Sequence, residues 1–269
     1  MPQNPDYPEL EEARSHWRWQ PPAGCLAGKV ILVTGAGDGI GSSASRTFAS
    51  YGADVVLLGR TRSKLEAVFD WIVANTSTDP VIVPCDLAHL AQPNADALAN
   101  SIMDHYQRLD GLLHNASALG PRLPIAHYPV HTWNEVFTVN VTSALLLTQS
   151  VQPLLERGDH PSVIFTSSSV GRAGRAYWGA YAASKFAVEG LMETFADETE
   201  AAGFRVNSLN PGGTRTPMRR AAYPSEDPQS VPPPENHMDL YVYLLSEYSR
   251  GVTGQRLDAR TWAGPPNPA

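Results

Sequence analysis

A tyrosine and a lysine four residues apart, in Tyr181-Ala182-Ala183-Ser184-Lys185, are the pair in this chain best suited to acid–base chemistry. On a helix, positions i and i+4 share a face, so the phenol and the ammonium stand side by side. Their stripe continues through Val188, Met192 and Phe195, an apolar face on which a lysine is costly without a specific partner. A free phenol has a pKa of about 10 and is a poor base near neutrality. A neighbouring ammonium favours the phenolate and lowers that value, which fits the phenol for proton transfer. The plainer alternative is a tyrosine packed against Tyr177 and Trp178, with Lys185 extending to solvent.

Ser168 lies thirteen residues before Tyr181, within Thr166-Ser167-Ser168-Ser169 at the end of an apolar run. A hydroxyl at the carboxyl end of a strand opens into the expected crevice, where it can hold a substrate oxygen for the phenol. Serines are also common in ordinary turns, and position alone does not choose among the three. Asn140 falls on the helical stripe Val136, Val139, Asn140, Ser143 and Leu147. A buried amide needs hydrogen-bond partners, whether structural or functional.

A second group suits a phosphate. The apolar run Lys29–Thr34 leads into Gly35-Ala36-Gly37-Asp38-Gly39-Ile40-Gly41 and then a helical pattern. Glycines permit positive φ and let the backbone approach a pyrophosphate, at which the helix start directs free N–H groups. Strand before and helix after make Gly35, Gly37, Asp38, Gly39 and Ile40 candidate dinucleotide contacts. A carboxylate about twenty residues on would bind the ribose 2′-OH of NAD. Here the second strand ends in Leu58-Gly59-Arg60-Thr61-Arg62, with no acid and two guanidiniums for a 2′-phosphate. That favours NADP(H), while Asp38, a negative charge inside the loop, keeps NAD(H) open.

These residues need a frame to meet. Strands are predicted at Lys29–Thr34, Asp54–Leu58, Val81–Pro84, Gly111–His114, Ser162–Ser167, Arg205–Leu209 and Gln255–Leu257. Helical patterns fill 40–51, 63–75, 94–107, 131–156 and 179–202 between them. Alternation of helices with fully apolar strands predicts a single α/β domain, a Rossmann-type doubly wound parallel sheet of about seven strands. Its ligand crevice lies at the strands' carboxyl ends. Residues 1–28 read as an irregular, proline-broken extension, 29–260 as the dinucleotide-binding domain and 261–269 as a tail. The stretch Pro217–Pro234, within a substrate loop of about 212–235, is expected to be a long loop. The Trp17/Trp19 pair could pack on the domain or on a second subunit.

Composition narrows the partners. A net charge of −7 over 269 residues gives no counterion-release advantage on a phosphate backbone, which argues against nucleic acid. The apolar runs are too short for a membrane span, and the N-terminus lacks a signal peptide's apolar core, so the cytoplasm is expected. Cys25 and Cys85 have no metal-ligand spacing and are expected to be reduced. His127 and His131 are separated by Pro129, which prevents a shared helical face, so no metal site is expected. Arg172, Arg175, Arg215, Arg219 and Arg220 crowd the expected substrate edge, either as solvated arginines paired with Glu226 or Asp227 or as a lure for an anionic substrate.

Taken together, these residues resemble the short-chain dehydrogenase/reductase family from Lys29 to about Leu257. Thr34, Gly35, Gly39 and Gly41 match its TGxxxGxG turn, and Asp86-Leu87 its Asp-Leu after the third strand, implying that Asp86 contacts the adenine. His114-Asn115-Ala116-Ser117 stands where the family usually has Asn-Asn-Ala-Gly, matching at Asn115 and Ala116. The resemblance makes Asn140, Ser168, Tyr181 and Lys185 the catalytic set. Ser168 would orient the carbonyl, Tyr181 exchange the proton, Lys185 tune it and hold the nicotinamide ribose, and Asn140 support the lysine through a water. Pro211, Gly212 and Thr216 fit the segment that holds the nicotinamide carboxamide. The wording around Phe165–Gly171 and Trp178–Lys185 is similar to a bacterial branch of oxidoreductases without assigned substrates. The implied activity is NADP(H)-dependent reduction of a small-molecule carbonyl, reversible to alcohol oxidation, by a homodimer or homotetramer associated through the helices carrying Asn140 and Tyr181. The rival reading is a dinucleotide-binding regulator that senses redox state without turnover; such proteins can lose the tyrosine or lysine, and here both are present.

Overall fold

In the computed structural model, which describes residues 19–265, the apolar runs become parallel strands and the helical patterns cover them on both faces. In chain order the main elements are β1 (Val30–Thr34), α1 (Gly39–Ser50), β2 (Asp54–Gly59), α2 (Arg62–Asn75), β3 (Val81–Pro84) and α3 (Gln92–Tyr106). There follow β4 (Gly111–His114), α4 (Val130–Phe137), a π-helical turn (Thr138–Thr142), α5 (Ser143–Leu155), β5 (Ser162–Thr166) and α6 (Gly179–Thr199). The last are β6 (Arg205–Asn210), α7 (Pro217–Ala222), α8 (Met238–Leu245) and β7 (Arg256–Asp258). One sheet runs β3-β2-β1-β4-β5-β6-β7, parallel throughout.

Strand side chains alternate between two cores, as the period of two requires. Val30 and Leu32 of β1 pack with Leu98 and Ile102 of α3, Leu147 and Val151 of α5 and Met192 of α6. Ile31 and Val33 join Phe48 of α1, Leu65 and Ile72 of α2 and Leu244 of α8 on the other face. Burying each such side chain stabilises by roughly 1.5–3 kcal/mol, which is why β1 is apolar from Val30 to Val33.

The order reverses between β1 and β4, and there the crevice opens. Thr34 ties its two lips together. Its hydroxyl donates to Leu113 O at 3.2 Å and accepts from the amides of Asn115 at 2.9 Å and Ala116 at 3.0 Å.

Two stretches differ from expectation. Pro217–Pro234 is not one long loop, because α7 opens it. Thr216 caps that helix by accepting from Arg219 N at 3.1 Å, and Pro217 occupies its first turn, where no N–H is missed. The segment Met238–Leu245 forms α8, apolar all round but for Asp239 in its first turn and therefore without the stripe that marks a surface helix. Trp19 packs on the domain itself, with its ring 5.4 Å from Tyr243 and 6.2 Å from Trp262. Trp17, Pro2, Pro5 and Pro8 lie outside the described residues. No helix among the described residues is long and apolar enough to cross a membrane, and none of their His, Cys, Asp and Glu groupings could hold a metal ion.

Candidate active site

The glycine turn after β1 is shaped by close approach. Gly35 and Gly39 adopt φ of +68° and +49°, values that L side chains rarely take. A Cβ on Gly41 would stand 2.1 Å from Gly35 O, so the turn closes only on glycine. Asp38 caps α1 by accepting from Gly39 N at 2.8 Å, and its other oxygen is paired with the Lys64 ammonium from α2. The negative charge that argued against a phosphate is therefore countered in place.

Arg60 and Lys64 both line the cleft beyond this turn, whereas Arg62 is engaged with Glu66 at 2.8 Å. The two guanidiniums expected there are thus one guanidinium and one ammonium. Lys64 was not singled out in the sequence, and its closeness to Asp38 arises from packing of α2 against Gly37, where an added Cβ would meet Lys64 Cβ at 2.9 Å. Asp86 and Leu87 form the next stretch of wall. Asn115 is also there, with Nδ2 donating to Thr34 O at 3.1 Å, which makes its side chain a brace for the β1 turn.

Tyr181, Ser168 and Lys185 line the same cleft, which has room for about 510 Å³. The three-serine ambiguity resolves by geometry. Ser167 turns inward to the buried Glu189 carboxylate, and Ser169 begins a 3-10 turn. Ser168 is left facing the cleft, beside the Tyr181 phenol. Lys185 is 3% exposed; its Nζ donates to Thr166 O at 2.8 Å and lies 5.5 Å from the centre of the Tyr181 ring.

The expected lowering of the phenol's pKa is outweighed. Burial pushes Tyr181 up to about 12, with the Ser168 hydroxyl opposing it. Burial also lowers Lys185 to about 8, and the Glu189 carboxylate one turn along pulls it back up. Both groups thus favour their neutral forms more than they do in water, and the phenol is held as an acid.

Asn140 lies outside the cleft, in the π-turn beneath it. Its Oδ1 accepts from Ala118 N at 2.7 Å and Ser117 Oγ at 3.1 Å; its Nδ2 donates to Ala118 O at 3.0 Å and Ser184 Oγ at 2.9 Å. That saturates the amide. The turn and Lys185 share a small polar cavity of about 10 Å³, lined also by Thr166 and Ser143, with room for a single water.

Strand order, glycine turn and the serine, tyrosine and lysine gathered at one cleft all point the same way, and a model of the short chain dehydrogenase family matches residues 29–227. The chain belongs to that family. It is 48% identical over 242 residues to YciK of Escherichia coli K12, an uncharacterized oxidoreductase, covering 90% of this chain and 96% of the relative. A short chain dehydrogenase from Shigella flexneri solved in complex with NADP has a TM-score of 0.87 at 48% identity, covering 89% of this chain and 100% of that one. Another from Escherichia coli CFT073, in complex with NADPH, has the same TM-score of 0.87 and identity of 48%, covering 89% and 99%.

In this short chain dehydrogenase, the segment after β6 is held from behind. Asn210 Oδ1 accepts from Gly212 N at 3.0 Å, while its Nδ2 donates to Asp258 of β7 at 2.8 Å. Pro211, Gly212 and Thr216 thereby face the cleft opposite Gly39. Of the five arginines, Arg172 turns to Leu257 O at 2.9 Å, Arg215 to Pro228 O at 2.8 Å and Arg219 to Glu226 at 2.5 Å. Arg175 and Arg220 do not line the cleft. The cluster is chiefly structural.

His114, one of the two departures at the end of β4, is buried, stacked on Phe165 at 4.7 Å and hydrogen-bonded to Thr148 at 2.9 Å. Burial lowers His114 to about 3 and His237 to about 4, from 6.5. The unfolded chain therefore binds protons that the folded one refuses. Stability is expected to fall as pH drops through the window from about 6.5 to about 3. Urea midpoints between pH 6.5 and 4 should decline less steeply in His114→Asn than in the natural chain; parallel slopes would refute this.

Proposed function

We propose that this chain is an NADP(H)-dependent oxidoreductase that reduces a small-molecule carbonyl and, in reverse, oxidises the alcohol. The reading rests on one observation: Ser168, Tyr181 and Lys185 face the same cleft as the glycine turn. The cradle fits a dinucleotide pyrophosphate, since its glycines admit no side chain and Gly39 and Ile40 open a twelve-residue helix toward the cleft. Arg60 and Lys64 fit a 2′-phosphate, and relatives of 48% identity were solved with NADP and NADPH.

When bound, the dinucleotide supplies or accepts the hydride. Ser168 orients the carbonyl oxygen by hydrogen bonding, and Tyr181 donates its proton to that oxygen as negative charge develops there. A phenol raised to about 12 is fully protonated at neutral pH, the form reduction needs. Lys185 stands behind the phenol and steadies the phenolate as it forms. Because the Asn140 side chain is saturated, the main chain of its π-turn is what remains to hold a water toward Lys185 in the small cavity, replenishing the proton. Asp86 and Leu87 would border the adenine, and Asn115 would keep the turn in register for the pyrophosphate.

Purified protein should consume NADPH, followed by its absorbance, when offered a panel of ketones and aldehydes. Tight NADPH binding with no consumption across the panel would overturn the assignment.

A further inference from the structure

The substrate end of the cleft has its own composition. Beyond Tyr181 its walls are Leu119, Trp178, Met218 and Tyr223, contributed by the loop after β4, the loop before α6 and the α7 region. Trp178 lies 5.7 Å from the Tyr181 ring and 5.9 Å from Tyr223, both tilted, so a group attached to a carbonyl at the Tyr181 hydroxyl meets aromatic surface at once. Leu119, Trp178 and Met218 also pack against the buried Tyr181 and Val170, which fixes this surface relative to the reacting phenol.

Arg122 joins the three walls. Its guanidinium carbon is 4.9 Å from the centres of both Trp178 and Tyr223, and Nη1 donates to Ala222 O at the end of α7 at 2.5 Å. One cation from the post-β4 loop thus holds the tryptophan and the α7 segment together. Arg219 stacks on Tyr223 at 3.8 Å while bound to Glu226. The cations at this end are therefore committed to protein groups, and Glu135 adds a carboxylate to the lining. Among the described residues at this end, Arg122 and Arg219 are already engaged, so an anionic substrate meets no open counter-charge from them.

Building on the oxidoreductase reading above, we infer that this cleft takes an uncharged carbonyl or alcohol carrying a ring, aromatic or alicyclic, next to the reacting carbon. Arg122 is the positioning residue that closes the wall around it. Aromatic contact adds roughly threefold to tenfold in affinity beyond apolar area alone.

The test uses acetophenone and cyclohexanone as ring ketones, with butan-2-one and 4-oxopentanoate as acyclic neutral and anionic probes. Calorimetric titration into the NADP⁺-saturated protein reads binding without turnover, and NADPH consumption reads KM and kcat separately. Ring ketones are expected to bind at least about tenfold more tightly than either acyclic probe. Arg122→Ala should raise the KM for acetophenone about tenfold, leave kcat within about threefold and leave NADPH affinity unchanged; Arg122→Lys should recover part of the loss. Binding of 4-oxopentanoate as tight as that of acetophenone, or an unchanged KM in Arg122→Ala, overturns the inference. Selective ring binding without any turnover would sustain it and remove the oxidoreductase reading instead.

Discussion

Tyr181→Phe is expected to slow ketone reduction by about a thousandfold while leaving NADPH affinity within about twofold. The substitution removes one hydroxyl and little volume. The ring stays packed against Trp178 and under Lys185 Nζ, so the fold and the cofactor half of the cleft are preserved. What is lost is the acid that meets the new alkoxide, and nothing nearby replaces it: Ser168 is a far weaker acid, and Lys185 is directed to Thr166 O. Single-turnover measurement with saturating NADPH isolates the chemical step from product release. A rate within about tenfold of the natural chain would mean that the proton comes from elsewhere.

The second large effect concerns the cofactor's charge. Replacing Arg60 by serine and Lys64 by alanine together should weaken NADPH binding about a hundredfold, with NADH binding changed by no more than about threefold. Two cations are removed from the place where a 2′-phosphate would sit, and the loss of Lys64 leaves Asp38 without its counter-charge. Both side chains are substantially exposed, so added salt should reproduce part of the effect in the natural chain, for NADPH and not for NADH. Fluorescence titration with the two nucleotides at low and high ionic strength reads both. Equal losses for NADPH and NADH would show that these residues hold the pyrophosphate turn rather than the phosphate.

Local signals carried most of the frame. The central strands β1, β2, β4 and β5 could be placed from their apolar runs, because parallel strands buried on both faces leave few polar positions to blur the pattern, whereas β6 buries Arg205, Asn207, Ser208 and Asn210 and β7 offers only Leu257. Tyr181 and Lys185 could be paired because helical spacing fixes their relation before any tertiary contact forms. The missing parts depend on distant packing. Lys64 meets Asp38 across twenty-six residues, and only the seating of α2 on Gly37 brings them together. Arg122 reaches Ala222 across a hundred residues from a loop with no periodicity to read. The phenol's pKa was expected to fall because the sequence displays a nearby lysine and conceals the burial that raises it. One overlooked signal was local: Thr216-Pro217 is a helix start, and it announces α7 inside what reads as a proline-rich loop.

Trp19 and Trp262 stand near opposite ends of the described chain, yet both rest on Tyr243 of α8 and on each other. Folded chains usually begin to come apart by fraying at their termini. In this molecule the first and last described segments meet on a helix that is almost wholly buried, so displacing either tryptophan removes an aromatic contact from the other. Replacing either tryptophan by alanine would therefore register at both segments.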